Sequence, residues 1–382
     1  MKIPYALPYI DDQEIAELIS TLKSNWLSRG PKTAEFESKF ADYVDSEYAV
    51  GLNSCTAGLH LAQLALGIGP GDEVITTPYT FVATANTILH TGAKPVFCDI
   101  DPITMNIDHT KLEKHITANT KAIIPVHFAG LPCEMDTIMD MAKSNNFKVI
   151  EDAAHAVYTR YKKEPIGCIG DMTCFSFYTT KNLATGEGGM VTTKDEELAD
   201  RLRVMSLHGM DRNAWNRYTE KGSWFYEVIY PGYKYNMTDI QAALGLVQLT
   251  KLEEMQSLRN KYSEMYQKAF SNQELITTPF DSSEHTHAWH LYVLRIDFEK
   301  LFITRSEFIE ILKDKGIGTS VHFIPVPKHP YYKKLGYSIE DYPNASKAYE
   351  EAVSIPLYPS LSEEQVNYII EMILTTVNNS KR

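Results

Sequence analysis

The chain has 382 residues, of which 44% are hydrophobic and 23% charged, a balance typical of globular enzymes. A chain of this length holds roughly two or three domains of about 100–200 residues. The formal net charge of −12 argues against nucleic acid as a partner. A bound phosphate would therefore have to be held locally, by N–H groups and hydroxyls.

The first residues and the cysteines favour a cytoplasmic protein. MKIPYALPYIDDQ lacks the basic start and apolar core of a signal peptide, and no apolar run reaches the ~18 residues of a membrane helix. The odd number of cysteines suits reduced thiols, and their spacing fits neither CxxC nor a Cys/His metal site. We therefore predict no membrane segment and no metal.

Short apolar segments alternate with helical patterns in the first half of the chain. The predicted strands are 72–77, 95–101, 120–128, 147–154, 173–179 and 189–193. The predicted helices between them lie near 82–91, 110–117 and 134–146. This alternation favours an α/β fold with a mostly parallel sheet flanked by helices on both faces.

The composition changes after about residue 255. An apolar spacing typical of an amphipathic helix covers 237–256, and further elements are predicted at 289–297 (strand), 305–315 (helix), 317–324 (strand) and from about 361 (helix). We therefore predict a large α/β domain over 1–250, which includes the N-terminal segment, and a small α+β domain over 251–382. The long aromatic loop 208–235, with Trp215 and Trp224, is predicted to serve function or an interface.

Polar side chains lie at the start of one predicted helix and at the end of one predicted strand. Ser54 and Thr56 open a helix, where unpaired N–H groups can bind an anion, although a plain helix cap explains them too. In EDAAHA, Asp152 and His155 end an apolar strand. The carboxylate could ligate a metal, act as a base or pair with a cation, and a structural ion pair is the alternative.

Lys181 follows a strand in which Phe175 and Phe177 alternate with Ser176. Burial would lower the pKa of the lysine and make it nucleophilic, whereas a solvated loop lysine would need no such neighbours. The glycines within 186–189 allow close backbone approach. A lysine, an acid about 30 residues earlier and an anion site together fit pyridoxal 5′-phosphate (PLP) chemistry.

Long motifs in a fixed order carry a resemblance to a known family. They are WLSRGP, GPGDEVITTPYTFVATANTI, TKAIIPVHFAG, EDAAHA, FSFYTTKN with EGG, PGYKYNMTDIQAALGLVQL, AWHLYV and SVHFIP. The sequence resembles the DegT/DnrJ/EryC1/StrS family of sugar-nucleotide aminotransferases, which are fold type I PLP enzymes. HAWHL, PGYKYN and GIGTSVHF are most similar to the branch that makes UDP-4-amino-4-deoxy-L-arabinose.

The resemblance implies roles for individual residues in binding PLP. Lys181 would bind the cofactor aldehyde and carry the proton, Asp152 would pair with the pyridine nitrogen, and His155 would approach the phenolic oxygen. Phe81 would stack on the ring. Thr56, the backbone of Ala57, and Ser176 would hold the phosphate.

The resemblance also implies a homodimer with shared active sites. Asn236 would reach the phosphate bound by the other chain, although an asparagine here could equally cap its own helix. Arg29, His208, Tyr235, His322 and the loop 211–230 are further candidates for substrate contacts.

The implied reaction moves an amino group from L-glutamate to C4 of a nucleotide-linked keto sugar by ping-pong chemistry. A sugar dehydratase of the same family is disfavoured, since that branch has histidine in place of Lys181. A noncatalytic regulator or sugar-nucleotide-binding protein is the second alternative, which the intact Asp152, His155 and Lys181 disfavour. A plain nucleotide-binding domain is disfavoured by the lack of GxGxxG after the first strand.

Overall fold

The computed structural model describes residues 1–211 and 225–382, so part of the predicted loop, including Trp215 and Trp224, lies outside the described residues. The described residues form a seven-stranded sheet in the order β1-β9-β8-β5-β4-β2-β3. Its strands are β1 Tyr48–Leu52, β2 Glu73–Thr76, β3 Lys94–Phe97, β4 Thr120–Ile124, β5 Lys148–Ala153, β8 Met172–Ser176 and β9 Gly189–Thr193. A separate two-stranded ribbon comprises β6 Arg160–Tyr161 and β7 Glu164–Pro165.

The predicted mostly parallel sheet is confirmed. Strand β9 runs antiparallel to both of its neighbours, β1 and β8. The pairs from β8 through β5, β4 and β2 to β3 are all parallel. Parallel strands bring their carboxyl ends to one edge of the sheet, where ligands of α/β proteins bind.

Helices cover the sheet and continue through the second half of the chain. They are α1 Asp12–Lys23, α2 Pro31–Tyr43, α3 Cys55–Ala65, α4 Val82–Thr91, α5 Met135–Asn145, α6 Glu196–Ser206, α7 Asp239–Thr250, α8 Leu252–Phe270, α9 Arg305–Asp314, α10 Pro330–Lys334, α11 Pro343–Glu351 and α12 Glu363–Asn379. The segment predicted as a helix near 110–117 is a 3-10 helix, His109–His115. Among the described helices, none is both long and apolar enough to cross a membrane.

The predicted helix 237–256 is two helices that meet at Lys251. Helix α7 ends at Thr250 and α8 begins at Leu252. The ammonium of Lys251 lies 2.8 Å from a carboxylate oxygen of Glu14 and 2.7 Å from one of Asp11. These contacts fasten α1 to the junction, and the fully buried Glu14 depends on them for its charge partner.

The second sheet is built differently from the sequence-based expectation. It contains β10 Ile276–Thr277, β11 Tyr292–Ile296 and β12 Ala352–Ile355, all antiparallel. The segment 317–324 was predicted as a strand and is not one. Two of its residues form isolated bridges to different partners, Ile317 to Ile3 and Ser320 to Ser354, so no continuous ladder develops.

The described core divides into clusters that support, as a proposal, the division of the chain near residue 250. One large cluster joins α2, α5 and α7 to the seven-stranded sheet. Another packs α8, α9 and α12 around the three-stranded sheet. Ile3 belongs to this second cluster, and its N–H donates to the carbonyl of Gly316 at 2.7 Å. Ile3 therefore packs on the C-terminal unit.

Candidate active site

A cavity of about 440 Å³ opens at the carboxyl ends of the parallel strands. Its walls come from the ends of β5 and β8, from the starts of α3 and α4, and from segments around His290 and His322. The cavity brings together residues that are far apart in sequence. The predicted site residues in its lining are Thr56, Phe81, Asp152, His155, Ser176, Lys181 and His322.

Lys181 reaches this cavity from a tight turn after β8. Its N–H donates to the carbonyl of Tyr178 at 2.8 Å. Burial lowers the pKa of the Lys181 ammonium to about 8, an effect that Cys55 and Asp152 partly offset. The residue is partly exposed, but to the cavity, where protein atoms still shield the amine from bulk water. At pH 8 about half of these side chains would carry the neutral, nucleophilic amine.

Asp152 lies at the end of β5 and is only 4% exposed. The hydroxyl of Thr84 donates to its Oδ2 at 2.8 Å, and the Ala154 N–H donates to its Oδ1 at 3.1 Å. Burial raises the pKa of the carboxyl, whereas these two hydrogen bonds oppose the rise. A cationic ring nitrogen placed beside this carboxylate would relieve the cost of burying its charge.

Thr84 is a site residue that the sequence analysis missed. It lies in the first turn of α4, three residues after Phe81, and its hydroxyl also interacts with that of Thr80 at 2.8 Å. The signal available in the sequence was a spaced run of threonines, Thr80, Thr84 and Thr87, after a predicted strand. Nothing in that run shows which hydroxyl faces the acid, because the contact joins positions 68 residues apart.

His155 is buried beside the cavity with its tautomer fixed by the backbone. Its Nδ1 accepts a hydrogen bond from the Ala129 N–H at 3.2 Å, so the proton of the neutral ring lies on Nε2. Burial and the nearby Lys181 lower the pKa of His155 well below its usual range. The neutral ring can thus donate one hydrogen bond from Nε2 to a cofactor oxygen.

The start of α3 meets the start of β9 at unusually short range. A Cβ on Gly189 would lie 2.5 Å from the backbone nitrogen of Cys55 and 2.5 Å from the carbonyl carbon of Ser54. Only glycine permits this approach, which explains the last glycine of the GEGG sequence after Lys181. The Ser54 hydroxyl caps α3 by accepting the Ala57 N–H at 3.1 Å.

One predicted phosphate contact, the backbone of Ala57, already has a hydrogen-bond partner within the chain. The Ala57 N–H is occupied by the Ser54 cap, and Ala57 is not part of the described lining of the cavity. Thr56 and Ser176 do line it, beside the positive end of the α3 dipole. We propose that their hydroxyls, with the first backbone N–H groups of α3, hold the phosphate.

Phe81 is placed where an aromatic ring can cover a flat cofactor. It lies immediately before α4, is 59% exposed and lines the cavity. Its ring centroid lies 6.0 Å from that of Phe323 at a tilted angle. An exposed ring of this size at a cavity wall is available for stacking.

Several predicted substrate contacts lie away from the described lining of this cavity. Arg29 forms a bidentate ion pair with Glu37, at 2.6 and 2.9 Å. The hydroxyl of Tyr235 interacts with Nδ1 of His60 at 3.5 Å, and the His208 N–H donates to the Tyr233 carbonyl at 2.7 Å.

His322 does line the cavity. Its Nδ1 interacts with the Ser354 hydroxyl at 2.8 Å, and burial lowers the pKa of its ring to about 4. The neutral ring stacks on Tyr5, another lining residue that the sequence analysis missed.

The assembled groups fit PLP. A weakly basic lysine, a buried carboxylate, an N–H donor on His155, hydroxyls at a helix start and an aromatic wall meet in one cavity. Within residues 1–211 and 225–382, no group of three His, Cys, Asp or Glu side chains could hold a metal ion.

Comparison with known proteins identifies the class. The sequence profile of the DegT/DnrJ/EryC1/StrS aminotransferase family matches residues 8–374, and the chain belongs to that family. The chain is 57% identical over 380 residues to the spore coat polysaccharide biosynthesis protein SpsC of Bacillus subtilis, covering 99% of this chain and 98% of SpsC.

Solved structures agree with the family. The "Putative sugar aminotransferase Spr1654" of Streptococcus pneumoniae matches in its PLP form with a TM-score of 0.92 and 36% identity, over 99% of each chain. Helicobacter pylori PseC, an aminotransferase involved in the biosynthesis of pseudoaminic acid, matches with a TM-score of 0.92 and 28% identity, over 99% of this chain and 100% of PseC. The predicted PLP-dependent aminotransferase fold and the predicted cofactor are thereby confirmed.

Proposed function

We propose that the protein is a PLP-dependent sugar aminotransferase that moves an amino group from L-glutamate to C4 of a nucleotide-linked keto sugar. The observation that carries this proposal is the cavity in which Lys181, with a pKa lowered to about 8, lies near Asp152 and His155. The relatives add support, because one is described as a sugar aminotransferase and another as a polysaccharide biosynthesis protein.

Each residue has a distinct task in this reaction. When bound, PLP supplies a conjugated ring that withdraws electrons from the carbon bearing the transferred nitrogen. The Lys181 amine would hold the cofactor and, once displaced by the amino donor, would take the proton from Cα of that donor. In the second half-reaction the same amine would return a proton to C4 of the sugar. Asp152 would keep the ring nitrogen protonated, and His155 would donate to the phenolic oxygen.

A panel of UDP- and dTDP-linked 4-keto sugars, assayed with glutamate, tests the proposed function. We expect at least one to be aminated with stoichiometric formation of 2-oxoglutarate. The resemblance to the UDP-4-amino-4-deoxy-L-arabinose branch makes the UDP-linked 4-keto pentose the first substrate to test. Absence of amine transfer to every member of the panel would contradict the proposed substrate class.

A cytoplasmic location, where nucleotide sugars are made available to such enzymes, stays part of the proposal.

The site is proposed to be shared between two chains of a homodimer. Helix α7 is capped by Thr238, whose hydroxyl accepts the Gln241 N–H while the Gln241 side chain accepts the Thr238 N–H. Asn236 therefore does not cap this helix. It is 7% exposed, and its carboxamide oxygen has no hydrogen-bond partner among the described residues. An unpaired buried acceptor is costly, so a hydrogen-bond donor from outside the described residues is favoured beside this oxygen. The amide nitrogen donates to the Met237 carbonyl at 3.0 Å and has a second N–H, which we propose donates to the phosphate bound by the other chain.

An apolar surface suitable for a second copy lies on α1. Ile15, Ile19 and Leu22 are each about half exposed and follow the spacing of one helical face. Such a stripe on a helix that is fastened to the body through Glu14 and Lys251 is typical of an interface.

Mixed dimers test the sharing directly. We expect Asn236→Asp and Lys181→Ala homodimers to be inactive at limiting PLP, since one places a carboxylate beside a phosphate and the other removes the amine. Refolded together in equal amounts, they should regain about a quarter of wild-type activity, because half of the dimers would carry one intact site. Heterodimers that form, as shown by differently tagged subunits, but stay inactive would assign Asn236 to its own chain.

A further inference from the structure

His290 is a buried cavity residue that the reaction described above does not use. It stands just before β11 and lines the cavity together with Lys181. The backbone N–H of His290 donates to the Ala129 carbonyl at 2.9 Å. The guanidinium of Arg259 donates to the carbonyl of the neighbouring Trp289 at 3.0 Å. The backbone on both sides of the ring is thus held in place.

Asn182, the residue that follows Lys181, fixes the tautomer of His290. The Asn182 amide nitrogen donates to the Ala288 carbonyl at 2.7 Å, which places the amide oxygen on the opposite side. That oxygen lies 3.0 Å from Nδ1 of His290. Because an amide oxygen can only accept, Nδ1 must carry the proton, and Nε2 of the neutral ring is left as an acceptor.

The neighbouring imidazole, His155, has the opposite tautomer and therefore carries its proton on Nε2. The rings of His155 and His290 lie 4.5 Å apart between centroids and are tilted by 37°, and no hydrogen bond joins them. His155 presents an N–H at Nε2, whereas His290 presents a lone pair. Burial lowers the pKa of His290 well below its usual range, with His155 and Lys181 acting in the same direction, so the lone pair persists at neutral pH.

An acceptor in this cavity discriminates between the two substrates of a ping-pong enzyme. The recognition groups of an amino acid donor are carboxylates, which are acceptors themselves and gain nothing from a second acceptor. A sugar presents hydroxyl groups, which can donate. A site that offers an acceptor to a substrate hydroxyl selects against analogues that lack it.

We propose that His290 is a sugar-binding residue whose Nε2 accepts a hydrogen bond from a hydroxyl of the keto sugar, and that Asn182 holds it in that tautomer. This inference rests on the proposed function and deepens it. It assigns His290 to the sugar half-reaction only. The cofactor and the amino donor do not require it.

The test compares His290→Asn with the wild type in separate half-reactions. The asparagine amide can still donate to Asn182, but it places no acceptor at the position of Nε2. With glutamate, the conversion of the PLP form should proceed within about twofold of the wild-type rate. With the UDP-linked 4-keto pentose, or the keto sugar that the panel selects, kcat/KM should fall by about tenfold or more. His290→Gln, whose side-chain oxygen can approach the position of Nε2, should restore part of the loss.

A binding measurement separates recognition from turnover. The corresponding UDP-pentose with a hydroxyl at C4 cannot react, and its Kd by calorimetry should rise about tenfold in His290→Asn, whereas the Kd of UDP should not change. With the wild-type enzyme, the deoxy analogue of the keto sugar that lacks the hydroxyl proposed to donate to His290 should show a kcat/KM about tenfold lower than the keto sugar. This measurement needs no variant, so it tests the proposal even if His290→Asn folds poorly.

The outcomes distinguish this inference from the function on which it rests. A wild-type enzyme that runs both half-reactions while His290→Asn runs them equally well would overturn the role of His290 alone. A comparable fall in the glutamate half-reaction would also overturn it, because His290 would then serve the cofactor. A wild type that aminates no keto sugar would overturn both the function and the inference.

Discussion

Lys181→Ala is expected to fold normally and to lose amine transfer by at least about 10³-fold, because it removes the amine that we propose binds the cofactor aldehyde and moves the proton. The amine is held in a cavity rather than in packed core, so its loss should cost little stability. Product formation from glutamate and the accepted keto sugar, measured over hours, gives the residual rate.

The same preparation provides independent readouts. The visible absorption of lysine-bound cofactor should be absent in Lys181→Ala, while thermal unfolding should stay close to that of the wild type. Lys163→Ala, which changes an exposed lysine on the turn between β6 and β7, serves as the matched control and should behave as wild type in every assay. Turnover in Lys181→Ala within about tenfold of the wild type would show that another group carries the proton.

Asp152→Asn is expected to retain some cofactor and to lose most activity, because a neutral amide cannot stabilise a protonated ring nitrogen. The fall in kcat should exceed about tenfold, which corresponds to ~1.4 kcal/mol of barrier. Thr84 and the Ala154 N–H would still contact the amide, so the position of the side chain should be largely kept.

Glu151→Gln is the matched control for Asp152→Asn. Glu151 is the adjacent carboxylate on β5, but it faces away from the cavity and accepts from His127, Gly170 and Thr173. Glu151→Gln should lower the thermal unfolding temperature, because it weakens these buried hydrogen bonds, and should change kcat by less than Asp152→Asn does. If the two variants lose kcat to the same extent, the special role of Asp152 is wrong.

The sequence allowed prediction of those features that depend on local patterns. Strands such as Glu73–Thr76 and Gly189–Thr193 and the helix Val82–Thr91 were predictable, because apolar runs and turn residues bound them. The break at Lys251 was not predicted, and the ion pair that Lys251 forms there joins it to Glu14, 237 positions away in the sequence. Residues 317–324 have the alternation of a strand, yet they lack one continuous partner.

The same contrast applies to the site. Lys181 and Asp152 lie at or after the ends of predicted strands, about 30 residues apart. A lysine and an acid in these positions indicate PLP chemistry from the sequence alone. The roles proposed for Thr84 and His290 depend on their contacts with Asp152 and Asn182, which only the folded chain reveals. The Ala57 N–H is occupied by the Ser54 hydroxyl, which is the helix cap that the sequence offered as the alternative to an anion site.

The pairing of Ile3 with Ile317 has a consequence for how the protein is made. On a ribosome that adds about 5–20 residues per second, roughly 15–60 s separate the synthesis of these two positions. A similar interval separates the synthesis of Tyr5 from that of His322, its partner in the lining of the cavity. The nascent large domain can therefore form its sheet during translation, but the catalytic cavity closes only near the end. A ribosome-bound chain stalled before residue 317 should hold a folded sheet without a complete cavity.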